Sequence, residues 1–229
     1  MSANPRLVEV REKVLKQNDF LARSLRAKFR EAGVYVVSLV SSPGSGKTMF
    51  LEKLLSRLSN KHRVAALVGD LATENDALRL ARATQQVRQI TTGTICHLDA
   101  SMIERALADW DLEKLDYLFI ENVGNLVCPS SYDLGEALRL VLLSATEGED
   151  KPLKYPTIFN SADVAVISKM DIAAACEFDL LSARRNIQNV RPGMEVFEVS
   201  AKTGMGMDSV TSFLTRAATP ITSLVTPSR

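Results

Sequence analysis

Little in this sequence can build a disulfide framework, a membrane span or a nucleic-acid-binding face. Its three cysteines, an odd number at the widely separated positions 96, 128 and 176, do not pair into a scaffold. The apolar runs stop at strand length, as in VYVVSLV at 34–40, far short of the roughly 20 residues that cross a bilayer. No apolar secretory segment occurs in MSANPRLVEVREK at the N-terminus. Twenty-eight basic residues face 27 acidic ones, for a net charge of +1, so no basic field exists to hold a polyanion. These absences lead us to expect a cytoplasmic protein with neither a membrane nor a nucleic acid as partner.

What is present is a core-forming composition, 46% hydrophobic, in a chain long enough for one sizeable domain. Residues 5–31 place Leu7, Val10, Val14, Leu21, Leu25 and Phe29 at helical spacing among charges, closing at Ala32-Gly33. This predicts an amphipathic N-terminal helical arm over 1–33, which either packs on its own domain or docks a partner. After Gly33 the rhythm becomes short β-branched runs separated by helical stretches. Strands are expected at 34–40, 64–68, 87–91, 116–120, 137–144, 163–168 and 195–199; helices at 47–59, 74–84, 101–109, 175–189 and 206–216. Near-continuous apolar strands alternating with helices imply an α/β domain over 34–217, with a mostly parallel sheet covered on both faces. The tail 218–229 reads as flexible.

The strand at 34–40 runs into 41-SSPGSGKT-48 and then a helix, the setting a phosphate-binding loop needs. Gly44 and Gly46 would let the backbone turn its N–H groups onto phosphate oxygens, helped by the positive end of the helix, with Pro43 and Ser45 completing the nucleotide-binding loop. Lys47 would reach the β and γ phosphates and Thr48 would offer its hydroxyl to Mg²⁺. Ser41 stands where the motif usually has its first glycine. Asp70 and Glu121 end two predicted strands, at the sheet edge where ligands collect, and are expected to serve the magnesium. Asp76, in TENDA, would join them or place the attacking water.

The base is read from 168-SKMD-171. A carboxylate at Asp171 can accept two hydrogen bonds from guanine, a donor pair adenine lacks, and the stem of Lys169 would flank the ring. Ser168 replaces the asparagine usual in such motifs and removes one amide. Ser200, Ala201 and Lys202, in SAKTG, resemble the second base-contacting loop of GTPases. The nucleotide is therefore expected to be GTP.

The stretch TGTICHLDA places Cys96 beside His97 in a chain with only two histidines. Both side chains bind Ni²⁺ or Zn²⁺, but neighbours in an extended segment point to opposite sides, and one pair gives too few ligands for a site of about four. A two-fold axis would double the set. Cys176 follows three alanines and is expected in the core, His62 on the surface.

Together, SSPGSGKT, GDLATENDA, TGTICHLDA, ENVGNLVCP, DLGEALRLVLLSATEGEDKPLKYP and SKMD resemble the nickel-incorporation GTPases of hydrogenase and urease maturation, in the SIMIBI class, over residues 34–205. The resemblance implies a GTP-linked homodimer carrying nickel at its interface on Cys96 and His97, with Cys128 contributing. It also implies docking of a HypA-type nickel chaperone by the arm, and delivery to a hydrogenase large-subunit precursor. The cysteine-rich and histidine-rich tracts of some relatives are absent. The competing readings are a metal-binding module with negligible turnover and a GTPase chaperone for another metallocofactor enzyme. The absence of an evident arginine finger or glutamine suggests slow hydrolysis.

Overall fold

A computed structural model describes residues 5–71, 75–84 and 86–219, with the backbone alone described over 5–11. The expected flexible tail therefore lies largely outside the described residues, as do Ala72, Thr73 and Glu74. All seven expected strands form: β1 (Tyr35–Ser41), β2 (Val64–Asp70), β3 (Gln86–Thr91), β4 (Tyr117–Glu121), β5 (Leu138–Ser144), β6 (Val164–Ser168) and β7 (Glu195–Glu198). They make one sheet in the order β3-β2-β4-β1-β5-β6-β7, with every pairing parallel. The central strands β1, β4, β5 and β6 are buried along their whole or nearly whole length, which is why they read as unbroken apolar runs.

The helices are α1 (Pro5–Glu31), α2 (Lys47–Leu58), α3 (Asn75–Leu80), α4 (Ala100–Ala106), α5 (Lys151–Lys154), α6 (Pro156–Ser161), α7 (Leu180–Val190) and α8 (Met207–Ala218). Two departures from expectation have local causes. The helix expected from 175 begins at Leu180, because Glu177 turns the chain with φ 51° and Asp179 caps the new helix by accepting from the Ser182 amide. Cys176 is consequently exposed rather than in the core. The short α5 and α6, each with proline in its first turn, were not expected from KPLKYP. His62 is half-buried, its ring edge-on to Tyr117 at 5.1 Å.

One core lies between the sheet and α2 and α8; a second joins α1 and α4 to the opposite face. In α1 the buried positions are Asn18, Ala22, Leu25 and Phe29, while Val14, assigned to the apolar stripe, is exposed. The second half of the arm thus packs on its own domain. The side chains of Leu7 and Val10 fall outside the described residues.

Candidate functional site: a phosphate loop beside a thiol–imidazole cluster

The parallel order brings the carboxyl ends of β1, β2, β4 and β6 to one edge, where a cleft of about 690 Å³ opens. The phosphate loop crosses its floor, from Ser41 at the end of β1 to Lys47 at the start of α2. Gly46 adopts φ 90°, a left-handed conformation that only glycine enters at little cost, and turns the chain into the helix. Ser41, the departure from the usual motif, needs no glycine, since its backbone is not left-handed. Its hydroxyl instead accepts a hydrogen bond from Lys47 Nζ at 2.8 Å. Burial pushes Lys47 below the ordinary lysine range, opposed by Glu121 and Asp76.

Glu121 and Thr48 meet: the threonine hydroxyl donates to Glu121 Oε1 at 2.8 Å. The other carboxylate oxygen is buried without a hydrogen-bond partner. Desolvation pushes the Glu121 carboxyl up to about 7, although Lys47 draws it down. A buried acid with an unmatched oxygen beside a threonine hydroxyl fits a divalent cation, which would restore the ionised form. Asp70 and Asp76 line the same cleft, so the expected acidic set converges.

The base loop closes the cleft from β6. Ser168 donates to the Ser45 carbonyl at 2.8 Å, so the serine in the usual asparagine position still ties this loop to the phosphate loop. Lys169, left-handed at φ 59°, lays its stem across Gly46 and donates to the Gly44 carbonyl at 2.7 Å. Asp171 Oδ1 accepts from the Ser200 hydroxyl at 2.6 Å, which joins the SKMD and SAKTG segments. Pro43, Ala201 and Lys202 line the cleft with Ser168, Lys169 and Asp171, whereas Ser200 is buried behind its wall.

Behind this edge, the loops after β3 and β4 bring Cys96, His97 and Cys128 together, with one ligand atom from each inside a 4.8 Å span. The expectation that Cys96 and His97 diverge does not hold, because the chain bends at His97 instead of staying extended. Cys96 donates to Cys128 Sγ at 3.1 Å; that bond, together with burial, pushes the Cys96 thiol up. Burial draws His97 down, toward the neutral form that ligates metal, against the pull of Asp99. Its Nδ1 is buried with no hydrogen-bond partner, and its ring lies 3.9 Å from that of Tyr132. Two thiols and an imidazole with an unmatched nitrogen suit a borderline cation such as Ni²⁺ or Zn²⁺. A single chain therefore offers three ligands rather than two.

These two centres on one parallel sheet can be set against known proteins. The profile described as CobW/HypB/UreG, nucleotide-binding domain, matches residues 35–198. The chain belongs to this family. Its relatives include the hydrogenase/urease maturation factor HypB of Helicobacter hepaticus, 45% identical over 215 residues, which span 92% of this chain and 88% of that protein. The hydrogenase maturation factor HypB of Escherichia coli K12 is 44% identical over 209 residues, 91% of this chain and 72% of its own. The crystal structure of HypB from Helicobacter pylori in complex with nickel matches with a TM-score of 0.84 at 41% identity, over 93% of this chain and 99% of that one. HypB from Archaeoglobus fulgidus gives 0.83 at 37% identity, covering 89% and 100%. FlhF complexed with GMPPNP and Mg²⁺, at 16% identity and a TM-score of 0.54, shares the fold. The chain is thus a P-loop GTPase-fold member of the CobW/HypB/UreG family, as its motifs led us to expect.

Against the motif-based reading, four residues of this family member were missed. Arg79 lines the cleft, held by Glu52 at 2.6 Å. Asn122, next to Glu121, accepts from the amides of Leu98 and Val123, both at 2.9 Å, and so grips the cysteine–histidine loop. Asn125 donates to the Cys96 carbonyl at 3.2 Å. Gly124 lies against the phosphate loop, where a Cβ would come within 2.8 Å of Pro43 Cα. The last three sit in the quoted ENVGNLVCP, whose small and amide residues were the available signal.

Proposed function

We propose that the chain is a GTP-hydrolysing metallochaperone that delivers nickel during hydrogenase or urease maturation. The observation that carries this reading is the end of β4, where consecutive residues serve the two centres: Glu121 holds Thr48 of the phosphate loop and Asn122 holds the loop of Cys96 and His97. The names of the relatives, maturation factors and a nickel complex among them, point the same way.

In this reading Lys47 and the phosphate-loop amides bind the triphosphate of GTP, and Asp171 with Ser200, Ala201 and Lys202 selects guanine. Thr48, Glu121 and Asp70 hold Mg²⁺, which when bound neutralises the charge developing on the phosphates. Asp76 places the attacking water. Turnover is slow, since the arginine in the cleft, Arg79, is already paired with Glu52. Cys96, His97 and Cys128 carry Ni²⁺ as cargo, with Zn²⁺ able to take its place. A second copy of the chain completes the coordination, so nucleotide, metal and dimer are linked. In the cytoplasm a HypA-type nickel chaperone and the hydrogenase large-subunit precursor are its partners, α1 being the docking arm.

One titration tests this: oligomer mass and bound metal, measured with a GTP analogue, GDP, Ni²⁺ and Zn²⁺. The expected result is a dimer favoured by GTP analogue and metal together, with Cys96→Ala abolishing the metal effect. Equal masses under all conditions, with no metal retained, would sink the reading.

A further inference from the structure

One side chain of α1 spans both loops that carry the cysteines and the histidine. Asn18 is 5% exposed, buried within the seam of Ala22, Leu25 and Phe29. Its Nδ2 donates to the Asp133 carbonyl at 2.9 Å, and its Oδ1 accepts from the Ala100 amide at 2.9 Å. One partner is a carbonyl and the other an N–H, so the side chain must donate and accept at once, which this amide does in only one orientation. Ala100 opens α4 three residues after His97, and its N–H is one of the helix-start donors that lack an internal partner. Asp133 follows Tyr132, whose ring lies on His97 and which caps the one-turn 3-10 helix that starts at Cys128.

The surroundings hold this bridge at both ends. Arg26, two turns along α1, pairs with Asp133 Oδ1 at 2.6 Å. Gly135 brings the backbone so close to α1 that a Cβ would lie 2.9 Å from the Ala22 carbonyl and from Leu25. From the sheet side, the buried Arg139 donates to the carbonyls of Pro129 and Tyr132 and pairs with Glu136. None of these residues lines the nucleotide cleft.

We propose that Asn18 is a positioning residue for the Cys96–His97–Cys128 site. Beside the direct bridges of Asn122 and Asn125, this amide lets α1 hold the two ligand-bearing loops in register, and displacing α1 loosens the approach of Cys96 and His97 to Cys128. The consequence for metal rests on the proposed role of the cluster in carrying nickel; the consequence for thiol geometry does not.

The test therefore reads both, on the full chain. In metal-free protein the bis-alkylating reagent dibromobimane joins Cys96 to Cys128, while Cys176, exposed and remote in sequence, reports ordinary thiol reactivity. Asn18→Ala and Asn18→Asp are expected to slow the cross-link severalfold and to lower Ni²⁺ affinity about tenfold, the effect typical of losing a support behind a ligand. Cys176 alkylation and guanine-nucleotide affinity stay as in the parent chain. Asn18→Asp keeps the volume and the acceptor for Ala100, and so guards against a loss of folding in the alanine variant. Phe20→Ser, on the solvent side of the same helix, is expected to change neither readout. Wild-type cross-linking rates in both folded Asn18 variants would overturn the proposal, whatever the metal does. A parent chain that binds no nickel while the variants still cross-link slowly would instead refute the carrier reading and leave the positioning role standing.

Discussion

The nucleotide cleft and the thiol–imidazole cluster lie side by side on one sheet edge but are held in place differently. The cleft is made of strand ends: Ser41, Asp70, Glu121 and Ser168 are each the last residue of a strand, positioned by the ladder itself. The cluster is made of loops, and its order comes from side chains reaching across long sequence separations. Asn18, Asn122 and Asn125 each bond a backbone group of a segment that carries a ligand, and Arg139 does so from closer in the chain. A site built on a ladder is as stable as the sheet; a site built on amide bridges can yield while the sheet stays intact.

The difference can be tested by disabling each region separately. The largest expected effect is on turnover: Lys47→Ala removes the cation facing the phosphates and lowers GTP hydrolysis about 1000-fold, with Ni²⁺ binding to the nucleotide-free chain unchanged. Next, Cys96→Ala is expected to weaken Ni²⁺ about 100-fold while leaving the affinity for GDP as it was. If the nucleotide affinity falls as well, the two regions are not separable in this way. Asp171→Ala should erase about 100-fold of the preference for guanine over adenine nucleotides, read by competition binding, without affecting the cluster. Arg139→Met leaves Glu136 buried without its cation, held only by the Ser38 hydroxyl and the Leu134 amide, and should cost about 3 kcal/mol in denaturant unfolding.

The smallest effect separates the buried acid of the cleft from everything else. The Glu121 carboxyl, raised from 4.5 to about 7 by burial, favours folding most fully below pH 4.5. That contribution is lost as pH rises through 7. Glu121→Gln removes the titration, so the melting temperature of the variant should gain on the parent chain as pH climbs across this window. Mg²⁺ should bind the parent more tightly as pH rises through 7, because the ion displaces a proton. A variant and parent that melt in parallel at every pH would show that the acid stays ionised.

The way each region is held also decides what could be read from the sequence. SSPGSGKT and SKMD are contiguous, and their spacing follows from a strand turning directly into a helix or a loop, so their residues could be placed one by one. The seven strands were legible because burial on both faces leaves apolar runs. Asn18 left no such sign: a polar residue satisfied by distant backbone groups looks like the solvent side of a helix, and the stripe drawn through Val14 and Leu21 passed it by. Cys96 and His97 were noticed by residue type, and the resemblance added Cys128. Their convergence depends on a bend at His97 that periodicity does not record. Cys176 was misplaced for a local reason, the left-handed Glu177 that delays the next helix.

Gly124 bears on how the two regions meet. Its Cα faces Pro43 across a gap that a methyl group would overfill, with backbone against ring and no side chain between them to change rotamer. Such a joint has no slack. A side chain at position 124 would therefore have to push the phosphate loop and the segment leading to Cys128 apart, disturbing both regions at once. The absence of a single methyl group is what lets the two regions lie in contact.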